Sequence, residues 1–147
     1  MIQVTAKRTI HASTDRVFKA ITDFGNLPDT NPDIVHIEFL SDRHAGAGTV
    51  FRETRAVNGK RHVTELEVRE FDPPGRARMV ADSHGTVWDS VFTVVAAGDA
   101  AELTIEMDCS AHKLLPKLLN PLLKGLFRKG LEKHIDAVKA YCEAQQP

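Results

Sequence analysis

The chain has few of the parts from which catalysts and metal proteins are built. Its two cysteines, Cys109 and Cys142, form no CxxC pair, which removes the usual signature of a zinc knuckle or a dithiol redox site. Both fall on apolar stripes, where a reduced thiol behaves as a small hydrophobe, so no structural disulfide is expected. No Gly-x-Ser-x-Gly elbow occurs and neither cysteine has an activating partner in view, which leaves nucleophilic catalysis without a residue to carry it. Seven histidines are present, but none sits in HExxH or another compact ligand spacing. His11, His36, His44 and His112 read as surface positions by alternation or loop placement, and neither a metal nor any other cofactor is expected. Gly46-Ala47-Gly48 lacks a following glycine and opens into strand-forming residues instead of a helix, so it is no phosphate loop.

Charge of one sign is missing as well. Lys and Arg total 19 against 20 Asp and Glu, and the two are interspersed, so no basic field exists to draw in nucleic acid, which is excluded as a partner. No apolar run reaches the length of a membrane span, and MIQVTAKRTI at the N-terminus alternates where a signal peptide would be continuously apolar. The expectation is a soluble, cytoplasmic protein with no integral membrane segment. At 147 residues the chain fits one domain spanning 1–147, large enough to bury roughly two-thirds of its unfolded surface and to hold a cavity.

What is present is mostly strand pattern. Ile2, Val4, Ala6, Arg8 and Ile10 alternate as a first strand, and Ser13 stands where it can cap a short helix whose buried face is Val17, Phe18, Ile21 and Phe24. Pro28 and Pro32, among Gly25, Asn26, Asp29 and Asn31, turn the chain before a second strand at Ile34 to Leu40. Five further strands follow, at Thr49 to Val57, Arg61 to Phe71, Arg76 to Asp82, Thr86 to Val95 and Ala101 to Ala111. Asn58-Gly59 between the third and fourth is a strong two-residue hairpin signal, since both central positions of a type I′ turn need positive φ. From Pro121 to Ala144, Leu123, Phe127, Gly130, Leu131, His134, Ala137, Val138 and Tyr141 share one helical side. Asn120-Pro121 reads as an N-cap and first position, so the helix either starts there or kinks there. Seven strands with helices only after the first and the last point to an α+β fold: one curved antiparallel sheet wrapped around a long C-terminal helix, with two short helices between strands one and two.

That element order resembles the helix-grip fold of START-related lipid carriers, birch-pollen-allergen-like proteins and polyketide cyclases. Ala12-Ser13-Thr14-Asp15-Arg16-Val17-Phe18 entering the first helix, Asp23-Phe24-Gly25-Asn26-Leu27-Pro28 leaving it and the Gly46-x-Gly48-Thr49 turn are similar to small bacterial members of that superfamily. Glu70-Phe71-Asp72-Pro73-Pro74 and the stretch from Gly130-Leu131-Glu132-Lys133 to Tyr141 are similar too, so the likeness spans the chain. It implies an apolar cavity between sheet and helix and leaves the ligand open, because carriers, cyclases, isomerases and binding modules share this scaffold.

Alternation then selects the residues that would line such a cavity. The last strand offers Leu103, Ile105, Met107 and Cys109; the sixth offers Trp88, Ser90, Phe92 and Val94; the fifth offers Met79; the fourth offers His62 and Leu66. The third strand is ambiguous: apolar content favours Val50, Arg52, Thr54 and Ala56, whereas hairpin parity favours Phe51, Glu53 and Arg55 beside His62. The candidate ligand-binding set is His62, Met79, Trp88, Ser90, Phe92, Met107, Phe127, Gly130, His134 and Tyr141, with no catalytic residue assigned. Gly130, costly in a helix interior, is expected to permit close packing against the sheet or a ligand. The leading expectation is a binding or carrier protein for a small, mostly apolar molecule such as a lipid, an aromatic polyketide-like compound or an isoprenoid. The alternatives are a cyclase, aromatase or dehydratase using the same pocket, with His134 or His62 moving a proton, and a module whose apolar Leu114 to Leu126 segment docks on a partner protein or membrane.

Overall fold

The computed structural model describes residues 1–144. Strand β1 (Ile2–Ile10) leads to helix α1 (Thr14–Thr22), a 3-10 turn at Phe24–Asn26 and the single turn of α2 (Leu27–Thr30). Strands β2 (Ile34–Phe39), β3 (Val50–Val57), β4 (Lys60–Asp72), β5 (Arg76–Ser83), β6 (Thr86–Ala97) and β7 (Ala100–Ala111) follow, and α3 (Leu114–Ala144) ends the chain. All strand pairs are antiparallel in one open sheet of order β1-β7-β6-β5-β4-β3-β2. Consecutive strands therefore neighbour one another from β2 to β7, and only β1 is brought back from across the helices to pair with β7.

Local chemistry accounts for the elements. The Ser13 hydroxyl accepts from the Arg16 amide at 3.2 Å and caps α1, satisfying one of the orphan donors of its first turn. Asn58 and Gly59 both have positive φ, as the β3–β4 hairpin requires, and His84 and Gly85 repeat the arrangement between β5 and β6. The β3–β4 register pairs Val57 with Lys60, Arg55 with His62 and Glu53 with Thr64. Hairpin parity thus decides the third strand: Phe51 and Glu53 are buried, whereas Arg52 turns outward to Glu38. A register shift between Val68 and Glu70 breaks the alternation of β4. It allows Phe71 to reach the interior, where its ring meets Phe18 at a centroid distance of 5.4 Å.

The long helix departs from the expected start. It runs unbroken from Leu114 with Pro121 inside it, and Asn120 is no cap but a buried side chain whose Nδ2 donates to Thr86 Oγ1 at 3.0 Å. Just before α3, the amides of His112 and Lys113 donate to the Gly85 carbonyl at 2.9 and 3.3 Å. The first turns of α3 are thus moored to the β5–β6 hairpin at two places, which holds the helix in register where proline removes one of its own bonds. The second half packs directly: Leu131, Ile135, Val138 and Cys142 are buried against β1, β7 and α1. Burying a side chain such as Ile135 or Val138 contributes about 1.5–3 kcal/mol.

Candidate functional site

Between the inner face of the sheet and the first half of α3 lies a cavity of about 610 Å³, within the usual range for small-molecule sites. Its middle is apolar, walled by Met79, Trp88, Phe92, Ile105, Met107 and Phe127. Trp88 meets Phe127 edge-on at 4.9 Å between centroids, joining the sheet wall to the helix wall. Leu115, Leu119, Leu123 and Leu126 complete the helix side, while Ser83, His84, Thr86 and Asn120 edge the cavity where α3 is moored.

At the other end the cavity meets a polar cluster drawn from three elements. His134 of α3 accepts at Nδ1 from Asn31 Nδ2 at 2.8 Å and faces Arg55 Nη2 at 3.4 Å. Asn31, just after α2, is itself oriented because its Oδ1 accepts from the Asp33 amide at 3.1 Å. A guanidinium only donates, and so does the amide nitrogen of Asn31, so Nδ1 is the unprotonated nitrogen and the ring proton sits on Nε2. Among the described residues no buried side-chain nitrogen or oxygen lacks a partner. Nε2, which has none, must therefore lie in accessible space, and His134 borders the cavity. Burial, reinforced by the Arg55 charge, pushes the His134 pKa down to about 3, so the ring is neutral at physiological pH. Arg55 in turn is held by Glu53, with Nε to Oε1 at 2.5 Å, and the buried carboxylate offsets its charge. The result is a neutral N–H donor at the border of a cavity whose middle is apolar.

A family described as polyketide cyclase / dehydrase and lipid transport matches residues 1–143. The chain belongs to that family. No curated protein matches it. Among solved structures, a START superfamily protein from Mycobacterium smegmatis superposes with a TM-score of 0.81 at 19% identity, over 98% of this chain and 99% of that one. A Thermus thermophilus protein gives 0.77 at 19% identity over 99% and 100%. Norcoclaurine synthase from Thalictrum flavum, solved with dopamine and hydroxybenzaldehyde, gives 0.75 at 18% identity over 99% and 88%. The likeness extends over whole chains and establishes the helix-grip fold for this member of the cyclase and lipid-transport family.

Against that family fold, the residues singled out from sequence divide by position. Met79, Trp88, Ser90, Phe92, Met107, Phe127, Gly130 and His134 border the cavity. His62 does not: it has the inward parity of Thr64 and Leu66, which do border it, but it lies nearer the hairpin tip, where β4 has run past the cavity into solvent. Tyr141 does not either, because the second half of α3 is packed, and its hydroxyl accepts from Asn26 Nδ2 at 3.1 Å instead. Gly130 borders the cavity for a reason opposite to the expected one. A Cβ there would meet nothing within 4 Å, so open space rather than close packing surrounds it. Asn31 was missed, since a loop between two prolines offers no period by which to orient a side chain. Both thiols are buried, with pKa values pushed up to about 11, and neither borders the cavity. Among the described residues no group of His, Cys, Asp and Glu is arranged to share a metal ion, and no helix is long and apolar enough to cross a membrane.

Proposed function

We propose that this chain is a cytoplasmic binding or carrier protein for a small, mostly apolar molecule that bears one hydrogen-bond-accepting oxygen, as a lipid, aromatic polyketide or isoprenoid derivative does. The observation that carries the reading is the neutral N–H of His134 at the polar end of a mostly apolar-walled cavity. Burial of apolar ligand surface at about 25 cal/mol per Å² would supply affinity, and the donor would set which end enters first. With Arg55 neutralised by Glu53, a carbonyl or hydroxyl oxygen suits the site better than a free anion.

The same geometry weighs against His134 as an acid or base. Catalytic imidazoles are ordinarily oriented by a carboxylate and tuned near the working pH. Here the partners are an amide and a guanidinium, the pKa is about 3, and the nearby carboxylate of Glu53 is engaged by Arg55. A ligand carried in such a site is released unchanged, which sets the test. Solvent extraction of the purified protein followed by mass spectrometry should return an apolar molecule, and N-phenyl-1-naphthylamine should be taken up with a rise in fluorescence. His134→Phe should keep that uptake, while weakening an oxygen-bearing analogue of the extracted molecule roughly tenfold for the lost hydrogen bond. Absence of uptake by the folded wild-type protein would overturn the reading, and so would conversion of the extracted molecule to a new product.

A further inference from the structure

The first half of α3 exposes an amount of leucine that a helix facing only water does not need. Leu114, Leu118 and Leu122 are 73, 63 and 80% exposed and do not border the cavity. At about 100° per residue they lie with Leu115, Leu126 and Leu119 within an arc of roughly 140°, those three being exposed too, and Lys129 enters that side only one turn beyond the leucines. An apolar surface of this continuity marks an interaction site. The charge beside it is equally one-sided. From Lys113 to Leu131 the chain carries Lys113, Lys117, Lys124, Arg128 and Lys129 and no Asp or Glu, although the whole protein has a net charge of −1. Lys113, Lys117, Lys124 and Arg128 gather on one flank of the helix, next to the leucine arc rather than within it.

From this arrangement we infer that the first half of α3 docks on the surface of an anionic phospholipid bilayer. Leucines enter the acyl boundary and the flanking cations reach the headgroups on flexible stems. The segment lies on the bilayer and does not span it, in keeping with the absence, among the described residues, of a helix able to cross. Acidic headgroups match the flank, and the acyl layer matches the leucine arc. Leu115, Leu119 and Leu126 border both the arc and the cavity. An apolar molecule leaving the bilayer would therefore meet the cavity wall without first crossing water. Leu114, Leu118 and Leu122, together with the flanking cations, lie outside the cavity, so the docking can be tested apart from what fills it.

Flotation of the full chain with vesicles tests this. The protein should rise with vesicles of phosphatidylcholine containing about one-third phosphatidylglycerol, stay behind with phosphatidylcholine alone, and detach as salt is raised. Leu118→Asp with Leu122→Asp should lower binding to the anionic vesicles at least about tenfold, and Lys124→Gln with Arg128→Gln by a similar factor. An unchanged unfolding midpoint and unchanged N-phenyl-1-naphthylamine uptake show that the variants are intact; should the double aspartate variant lose its fold, Leu122→Ser takes its place. Failure of the wild-type protein to float with anionic vesicles overturns the docking, as does flotation indifferent to the leucine changes. If sedimentation velocity instead reveals a dimer that Leu118→Asp dissociates while vesicles are ignored, the arc is a contact between copies and the inference is wrong. Loss of flotation with probe uptake intact leaves the cavity reading standing, and lost uptake with flotation intact leaves the docking standing.

Discussion

The two halves of α3 belong to one continuous helix yet do different things. From Leu131 onward the buried positions recur at helical spacing, Leu131, Ile135, Val138 and Cys142, and the side chains at Ile135 and Cys142 are wholly inaccessible. From Leu114 to Gly130 only Asn120 is buried, and it is polar. The second half is held by apolar packing against the sheet, the first by hydrogen bonds to the β5–β6 hairpin at one end of the cavity. Secondary structure alone cannot distinguish these roles, since local hydrogen bonding is satisfied in both. What separates them is where the hydrophobic free energy is collected.

The contrast can be broken most forcefully at Ile135. Replacement by Ala should lower stability in urea by about 2–5 kcal/mol, and a loss under about 1 kcal/mol would mean that the second half is not the anchor. Next comes acid. The His134 pKa is about 3 in the folded protein against an ordinary 6.5, so between those values the unfolded chain binds a proton that the folded chain refuses. The stabilisation is complete above about pH 6.5 and drains away as pH falls toward 3, by on the order of 2–4 kcal/mol once water in the cavity is allowed for. The His134→Phe variant should lack this part of the acid limb. Proton-detected imidazole titration should find the ring neutral at pH 5, and protonation with an ordinary midpoint would remove the fixed donor from the site.

Arg55→Met should cost about 2–3 kcal/mol, because it leaves the buried Glu53 carboxylate unpaired. Pairing it with Glu53→Leu should recover most of that loss, and no recovery would show that Arg55 acts through something other than Glu53. The smallest effects fall at and beyond the junction of the halves. Leu131 is buried but borders the cavity, so Leu131→Ala enlarges an existing space and should cost about 1–2 kcal/mol, below the range for a closed core. Leu122→Ala should stay within about 0.5 kcal/mol of wild type, and a larger loss would mean that the first half contributes to the core after all.

Most of the architecture was legible because it rests on period and turn chemistry. The Asn58-Gly59 hairpin set the parity of β3, and that parity, not apolar content, brought Glu53 and Arg55 inward. Alternation likewise placed Trp88, Ser90 and Phe92 on the cavity side of β6. Two kinds of feature escaped. The register shift in β4 inserts no recognisable residue, so nothing at Val68-Arg69-Glu70 announces that Phe71 will turn inward. How far a strand runs past a cavity is a tertiary fact, which is why His62 could have the right parity and the wrong place. For the site itself, the helical wheel found His134 but could not find Asn31, whose position depends on a turn whose path is set by packing rather than by a repeat.

The tether between Asn120 and Thr86 has a consequence for how such a protein changes over generations. A helix held across a cavity by a side-chain bond at the cavity's edge and a carbonyl, rather than by the leucines on its helix side, lets those leucines vary without unseating the helix. Leu115, Leu119, Leu123 and Leu126 can be exchanged for larger, smaller or more polar groups while Asn120, Thr86 and Gly85 keep the span in place. Ligand choice and foldability are thereby written in different residues, and a duplicated copy of this chain can drift toward a new ligand through mutations that selection for stability hardly notices.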